Sequence, residues 1–224
     1  MQKSAGNSLL SQLNEAREEV AALMRRLYSR GLTTTSGGNV SLRVGDHILV
    51  TASQYDKATV SGKQVAVVTL CGDNLTHGLR PSIETDMHLS IYRQRPDVRA
   101  VVHAHPPTAT AFSATTEHIN CRLTAEAYFI IGEPRLLPYA CMGSSELAAI
   151  VAENMGDAVC ALLENHGILT VGESLIEAFD RLEVLEEAAK MTVAARLIGT
   201  VHELSADRCS ELDALRKCKT GKAE

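Results

Sequence analysis

Ala100-Val101-Val102-His103-Ala104-His105 sets two histidines one residue apart at the end of an apolar run. Residues Arg99–His103 read as a buried β-strand, and a strand sends alternate side chains to the same face. His103 and His105 therefore project together. Neutral imidazoles on one face can share a metal ion, and histidine is a common zinc ligand. A catalytic zinc site keeps three protein ligands and an open position. The chain offers a third histidine, His166 in Glu164-Asn165-His166-Gly167, and a carboxylate, Glu84 in Pro81-Ser82-Ile83-Glu84. A zinc enzyme is the expectation if the fold gathers these four. Taken singly, each also has a plain structural reading: His166 as a turn residue, Glu84 as a first-turn carboxylate favoured by the helix dipole.

Outward from that strand, helices and strands alternate. Leu9, Leu13, Val20, Leu23, Met24 and Leu27 recur at helical spacing before Gly31, which predicts a helix over about residues 9–30. Asn39–Val44, Gly45-Asp46 and His47–Ala52 read as a β-hairpin, and Val65–Leu70 as a further strand. Pro81-Ser82 is expected to open a helix to about Arg93 with Ser82 as its cap. Thr108–Ala114 reads as a short helix, and Ser144 or Ser145 caps another to about Asn154. Two short strands, Cys160–Leu163 and Ile168–Val171, flank Asn165-His166-Gly167, and Ser174 starts a long helix through Ala195. The hairpin implies an antiparallel or mixed sheet rather than a doubly wound parallel one.

The 224 residues carry 45% hydrophobic and 22% charged side chains, which suits a single globular domain. That domain is expected over residues 1–198, with residues 199–224 a flexible tail. A net charge of −5 argues against a nucleic-acid partner. No apolar stretch approaches the roughly 20 residues that span a bilayer, so no membrane partner is expected. The N-terminal residues lack the apolar centre of a signal peptide, and the six cysteines are not spaced as metal pairs. Reduced thiols in the cytoplasm are the expectation.

Five short motifs occur in order: Ser36-Gly37-Gly38-Asn39-Val40-Ser41, Val50-Thr51-Ala52-Ser53, Pro81-Ser82-Ile83-Glu84, His103-Ala104-His105 and Asn165-His166-Gly167. With them the chain resembles the class II aldolase/adducin family over about residues 10–198, and most of all its fuculose-1-phosphate aldolase branch. The resemblance implies an α/β fold of three layers, α/β/α, around a largely antiparallel central sheet. It implies a homotetramer with active sites between subunits. It implies Zn2+ held by His103, His105 and His166, with Glu84 at the metal in the resting enzyme and acting as the base. It carries Asn39, Ser53 and Ser82 to a substrate-phosphate subsite. Two positions depart from the branch: Gln54 stands where a glycine is usual, and Ile83 replaces a second serine. The proton donor to the cleaved aldehyde oxygen is a neighbouring subunit's tyrosine in that branch. Here the position falls near Thr124, leaving Tyr128 and Glu126 as candidates, and no tyrosine follows Thr200. His88 shares a helix face with Glu84, but no matched motif makes it a ligand.

The expected activity is a zinc-dependent aldolase. It would cleave a ketose 1-phosphate, of the fuculose or a deoxypentulose type, to dihydroxyacetone phosphate and a small aldehyde. Cleavage next to a carbonyl leaves an enediolate, whose charge a Lewis-acid metal can stabilise. Related sugar-phosphate decarboxylases and dehydratases keep the same glutamate and histidines. The 4-epimerases of the family carry aspartate at the Glu84 position, which favours the aldolase. Adducin-type heads use the fold without the zinc ligands, all of which are present here.

Overall fold

The computed structural model describes residues 2–220. Seven strands, β1 (Asn39–Val44), β2 (His47–Thr51), β3 (Val65–Thr69), β4 (Ala100–Ala104), β5 (Arg135–Leu137), β6 (Cys160–Leu163) and β7 (Gly167–Gly172), form one sheet in the order β3-β2-β1-β4-β7-β6-β5. Every neighbouring pair is antiparallel except β5–β6. Seven α-helices accompany it: α1 (Gln2–Ser29), α2 (Thr85–Gln94), α3 (Pro107–Ser113), α4 (Ala125–Ile131), α5 (Ser145–Asn154), α6 (Leu175–Ile198) and α7 (Ala206–Thr220).

Strand alternation sorts the apolar residues into two cores. Val40, Leu42, Leu49, Val65, Val67, Ala100 and Val102 face α1, α3, α4 and α6. Ile48, Val50, Ala66, Val68, Val101, Leu169 and Val171 face α2 and α5. The sheet is thus the middle of three layers, as expected. Odd-numbered residues of β1 and β4 point toward α2, so Asn39, Ser41 and His103 share that face, and the register sets Asn39 opposite His103.

Three sequence expectations are corrected. Helix α2 begins at Thr85, and its capping position is Glu84, not Ser82. The Ser82 N–H donates to the Thr51 carbonyl at 3.2 Å, and Ala52 bridges Pro81 in antiparallel fashion, so Ser82 is pinned beside the sheet in a segment that cannot yet coil. Residues 206–220 form α7 rather than a flexible tail, while residues 221–224 lie outside the described residues. Helix α4 and the three-residue strand β5 occupy a stretch without an element in the sequence reading.

Helix α3 follows directly on His105. Its capping residue is Pro106 and its first residue Pro107, neither of which carries an N–H. The next two amides are satisfied by one carboxylate from α6. Glu186 Oε1 accepts from the Thr108 N–H at 3.2 Å and hydroxyl at 2.8 Å, and Oε2 accepts from the Ala109 N–H at 2.8 Å. No helix among the described residues is long and apolar enough to cross a membrane.

Candidate metal and catalytic site

The three histidines meet where β4 and the β6–β7 turn end. Their ligating nitrogens lie within 4.8 Å of one another. His103 and His105 present Nε2 to Nε2 at 3.2 Å. Zinc held at about 2.0–2.1 Å with tetrahedral angles would set its nitrogens about 3.3 Å apart, so the spacing suits one ion. His103 Nδ1 donates to the Ile168 carbonyl at 2.9 Å, which leaves the Nε2 lone pair free for a metal, as ligating histidines generally arrange it.

Backbone geometry delivers each ring. The His105 N–H is held by the Leu32 carbonyl at 3.0 Å. His166 sits in a turn in which Asn165 adopts φ +53°, a left-handed conformation that asparagine tolerates, and its own N–H donates to Leu163 at 3.0 Å. Gly167 then lets β7 pass close beneath the rings. A Cβ there would overlap His105 Cδ2 and stand 3.1 Å from His103 Cε1.

Glu84 completes the group from the start of α2. Its Oε1 is 3.1 Å from His166 Nε2, and Oε2 is 3.4 Å from His103 Nε2. The residue is 6% exposed, and no hydrogen-bond donor is aligned on Oε1. A buried carboxylate oxygen without a donor, turned to imidazole nitrogens, is what a cation would satisfy. Burial works to raise the Glu84 pKa, but His103, His166 and the Asn39 amide hold its carboxyl well below the usual range. Burial pushes His103 down to about 3, against the pull of Glu84, and also lowers His105. Neutral imidazoles beside a carboxylate are a donor set for a divalent metal.

The residues carried to the phosphate subsite separate. The Asn39 side chain is buried and engaged at both ends: Nδ2 donates to Glu84 Oε2 at 2.7 Å, and Oδ1 faces His88 Nε2 at 2.5 Å. Both ends of the amide are thus held by Glu84 and His88. Ser53 and Ser82 do lie together, because the end of β2 pairs with residues 80–82. Ser53 Oγ donates to the Pro81 carbonyl at 3.0 Å, and Ser82 Oγ accepts from the Glu84 N–H at 3.3 Å. Gln54 adopts φ +67°, the conformation for which a glycine would be at ease, and Ile83 is 49% exposed beside the serines. Buried Lys57 brings an ammonium under this turn, donating to the Ala52 carbonyl at 3.3 Å; burial lowers its pKa.

Tyr128 does not join the cluster of its own chain. It lies on α4 with its hydroxyl donating to Asp213 of α7 at 3.2 Å, and burial together with that carboxylate raises its pKa. Glu126, on the first turn of α4, is exposed.

His88, Ser41 and Tyr92 were missed as site residues. All three are buried and linked by hydrogen bonds in a chain that reaches Asn39 through His88. The legible signal was spacing: Glu84, His88 and Tyr92 recur every four residues, one face of a helix.

Residues 18–193 match the family model described as Class II Aldolase and Adducin N-terminal domain. The chain belongs to this family. It is 39% identical over 165 residues to an L-fuculose phosphate aldolase of Methanococcus maripaludis, covering 74% of this chain and 89% of that one. It is 32% identical over 180 residues to a 3-oxo-tetronate 4-phosphate decarboxylase of Haemophilus influenzae, covering 78% and 85%. A solved L-fuculose 1-phosphate aldolase superposes with a TM-score of 0.84 at 28% identity, over 91% of this chain and 96% of that one.

Proposed function

We propose that the protein is a metal-dependent aldolase that cleaves a ketose 1-phosphate, of the fuculose or a deoxypentulose type, to dihydroxyacetone phosphate and a small aldehyde. The observation that carries the reading is the buried Glu84 carboxylate against the His103 and His166 nitrogens of a three-histidine group, with one oxygen lacking an aligned donor. His103, His105 and His166 would hold the metal, Zn2+ by the nature of the donors, although imidazole also suits other divalent ions. When bound, the metal supplies Lewis-acid stabilisation of the negative charge that bond cleavage leaves on the substrate oxygens.

Glu84 removes or returns the proton on the substrate carbon next to the carbonyl. Its burial excludes water from that transfer, and Asn39 fixes the direction of the carboxylate. Ser53 and Ser82, with the ammonium of Lys57 beneath, form the side of the site suited to a phosphate. Exposed Ile83 narrows the choice of group that can lie there. Glu84, where an epimerase would carry aspartate, favours cleavage over epimerisation.

The proton on the aldehyde oxygen would come from another copy of the chain, in a homotetramer with its sites between subunits. Glu126 is exposed for that role, whereas the Tyr128 hydroxyl is engaged by Asp213. Six cysteines without a disulfide support a reducing compartment, the cytoplasm. Decarboxylation of a sugar-acid phosphate is the second reading. It is favoured by the decarboxylase relative and needs the same metal and the same stabilised charge.

The test is detritiation of stereospecifically labelled dihydroxyacetone phosphate by zinc-loaded protein without any aldehyde. Exchange that disappears in Glu84→Gln supports the aldolase. No exchange with zinc bound turns the reading to the decarboxylase.

A further inference from the structure

We propose that His88 is a positioning residue for Glu84, setting the direction of the Asn39 amide through a buried hydrogen-bonded chain that begins at Tyr92. The inference rests on the reading of Glu84 as the base. From Glu84 to Ser41 each link allows one polarity. Ionised Glu84 can only accept, so the Asn39 group 2.7 Å from Oε2 is the NH2. The Asn39 oxygen then faces His88 Nε2 at 2.5 Å, and since that oxygen can only accept, Nε2 carries the ring proton. Nδ1 is left as an acceptor and takes the Ser41 hydroxyl proton at 2.7 Å. The Ser41 oxygen then faces the Tyr92 hydroxyl at 2.8 Å and can accept its proton, for which the Arg99 carbonyl at 3.4 Å is the other acceptor.

Burial makes this order costly to invert. Exposure is 3% at Asn39, 0% at Ser41 and His88, and 1% at Tyr92, so no water replaces a lost partner. Burial also holds the His88 pKa down to about 4, against the pull of Glu84, which keeps the ring neutral with a single proton to place. An amide and its flipped form differ little in shape, and the neighbouring donors and acceptors decide between them. Without the His88 N–H, the amide loses one of the two neighbours that keep its NH2 toward Glu84. Flipped, it would set an acceptor oxygen against a carboxylate and push the base out of line. Two periodicities interlock here: Glu84, His88 and Tyr92 at four-residue steps along α2, and Asn39 and Ser41 at a two-residue step along β1.

The experiment compares His88→Gln with His88→Asn. A glutamine amide reaches about as far as ring Nε2 and can donate to Asn39, whereas an asparagine amide reaches only as far as Nδ1. Three quantities are read: detritiation of dihydroxyacetone phosphate, zinc affinity by chelator competition, and thermal midpoint. The 15N shifts of the His88 ring in the wild-type protein give the tautomer. The Nε2–H tautomer is expected. His88→Gln should keep the maximal exchange rate within about fivefold. His88→Asn should lose at least about tenfold, with the half-saturating dihydroxyacetone phosphate concentration and zinc affinity unchanged. A general packing role would instead lower both variants in step with their thermal midpoints. An Nδ1–H tautomer, equal losses in the two variants, or a wild-type rate in His88→Asn overturns the proposal. A wild-type protein that binds zinc but exchanges nothing overturns the aldolase reading on which this inference rests and turns it to the decarboxylase. In that case the tautomer still decides the direction of the chain.

Discussion

Asn39 stands directly opposite His103 in the antiparallel register of β1 and β4, and its side-chain amide donates to Glu84 Oε2 at 2.7 Å. Backbone pairing thus fixes the distance between a histidine of the candidate metal group and the side chain that holds Glu84. Asn39→Ala removes that donor and also the acceptor for His88, leaving two buried polar groups unpaired. A stability loss of about 1–3 kcal/mol is expected by urea denaturation, together with a lower rate of proton exchange. Unchanged stability would show that water or a neighbour replaces the amide.

Removing a ligand and removing the base should separate. His103→Ala leaves two imidazoles, and zinc affinity should fall by about two orders of magnitude or more, with activity lost alongside it. Glu84→Gln should keep zinc and lose proton exchange by about 10²–10⁴-fold. Chelator competition and detritiation read the two effects. Full metal content in His103→Ala would take that residue out of the ligand set.

Acid should weaken the metal-free protein before its surface carboxylates titrate. His88 and His103 are depressed by burial to about 4 and about 3 from an ordinary value near 6.5. The unfolded chain takes up protons that the folded chain refuses, so this contribution is complete above about pH 6.5 and is lost as pH falls toward 4 and then 3. Urea midpoints at pH 8, 6 and 4.5 should decline in that order. A flat profile between pH 7 and 5 would mean that water reaches both rings.

Gln54 occupies the left-handed region at φ +67°. Such a conformation costs a residue with a Cβ about 1–2 kcal/mol, and glycine gives back about 0.5–1 kcal/mol in unfolded-state entropy. Gln54→Gly is therefore expected to stabilise by up to about 1 kcal/mol, read as a higher thermal midpoint. A drop would show that the glutamine side chain contributes more than its backbone costs.

Gly167→Ala makes a sharper test of the cradle. The added methyl would overlap His105 Cδ2 and stand 2.9 Å from the Ala104 carbonyl oxygen, part of the backbone of β4. His105 has to move, and zinc affinity should fall while the helical circular dichroism stays near wild type. Unaltered affinity would mean that the β6–β7 turn yields instead.

The pair at the candidate metal group was legible because strand periodicity needs only local information: His103 lies on β4, and His105, one residue past its end, continues the same alternation. The hairpin of β1 and β2 was legible for the same reason, with Gly45 taking φ +56° at its turn. Ser82 misled because serine after proline looks like a cap, while the bond that unfits it for the role comes from Thr51, far away in the chain. Helix α7 was invisible because polar contacts dock much of it: Arg216 onto the Tyr128 and Phe129 carbonyls, and Asp213 onto the Tyr128 hydroxyl. Asn39 was carried to the phosphate subsite by its motif rather than read for its partners, and His88 sits 49 positions along the chain from it. Pairings of that span leave no periodic trace.

The Glu186 carboxylate has a consequence for how a charged substrate enters. Every free amide in the first turn of α3, next to His105, is already answered by an anion that the chain itself carries. In the proposed reading, an incoming phosphate finds that turn already occupied and is left the turn that holds Ser53 and Ser82. On the reading proposed above, the substrate takes a heading with its phosphate end toward the end of β2.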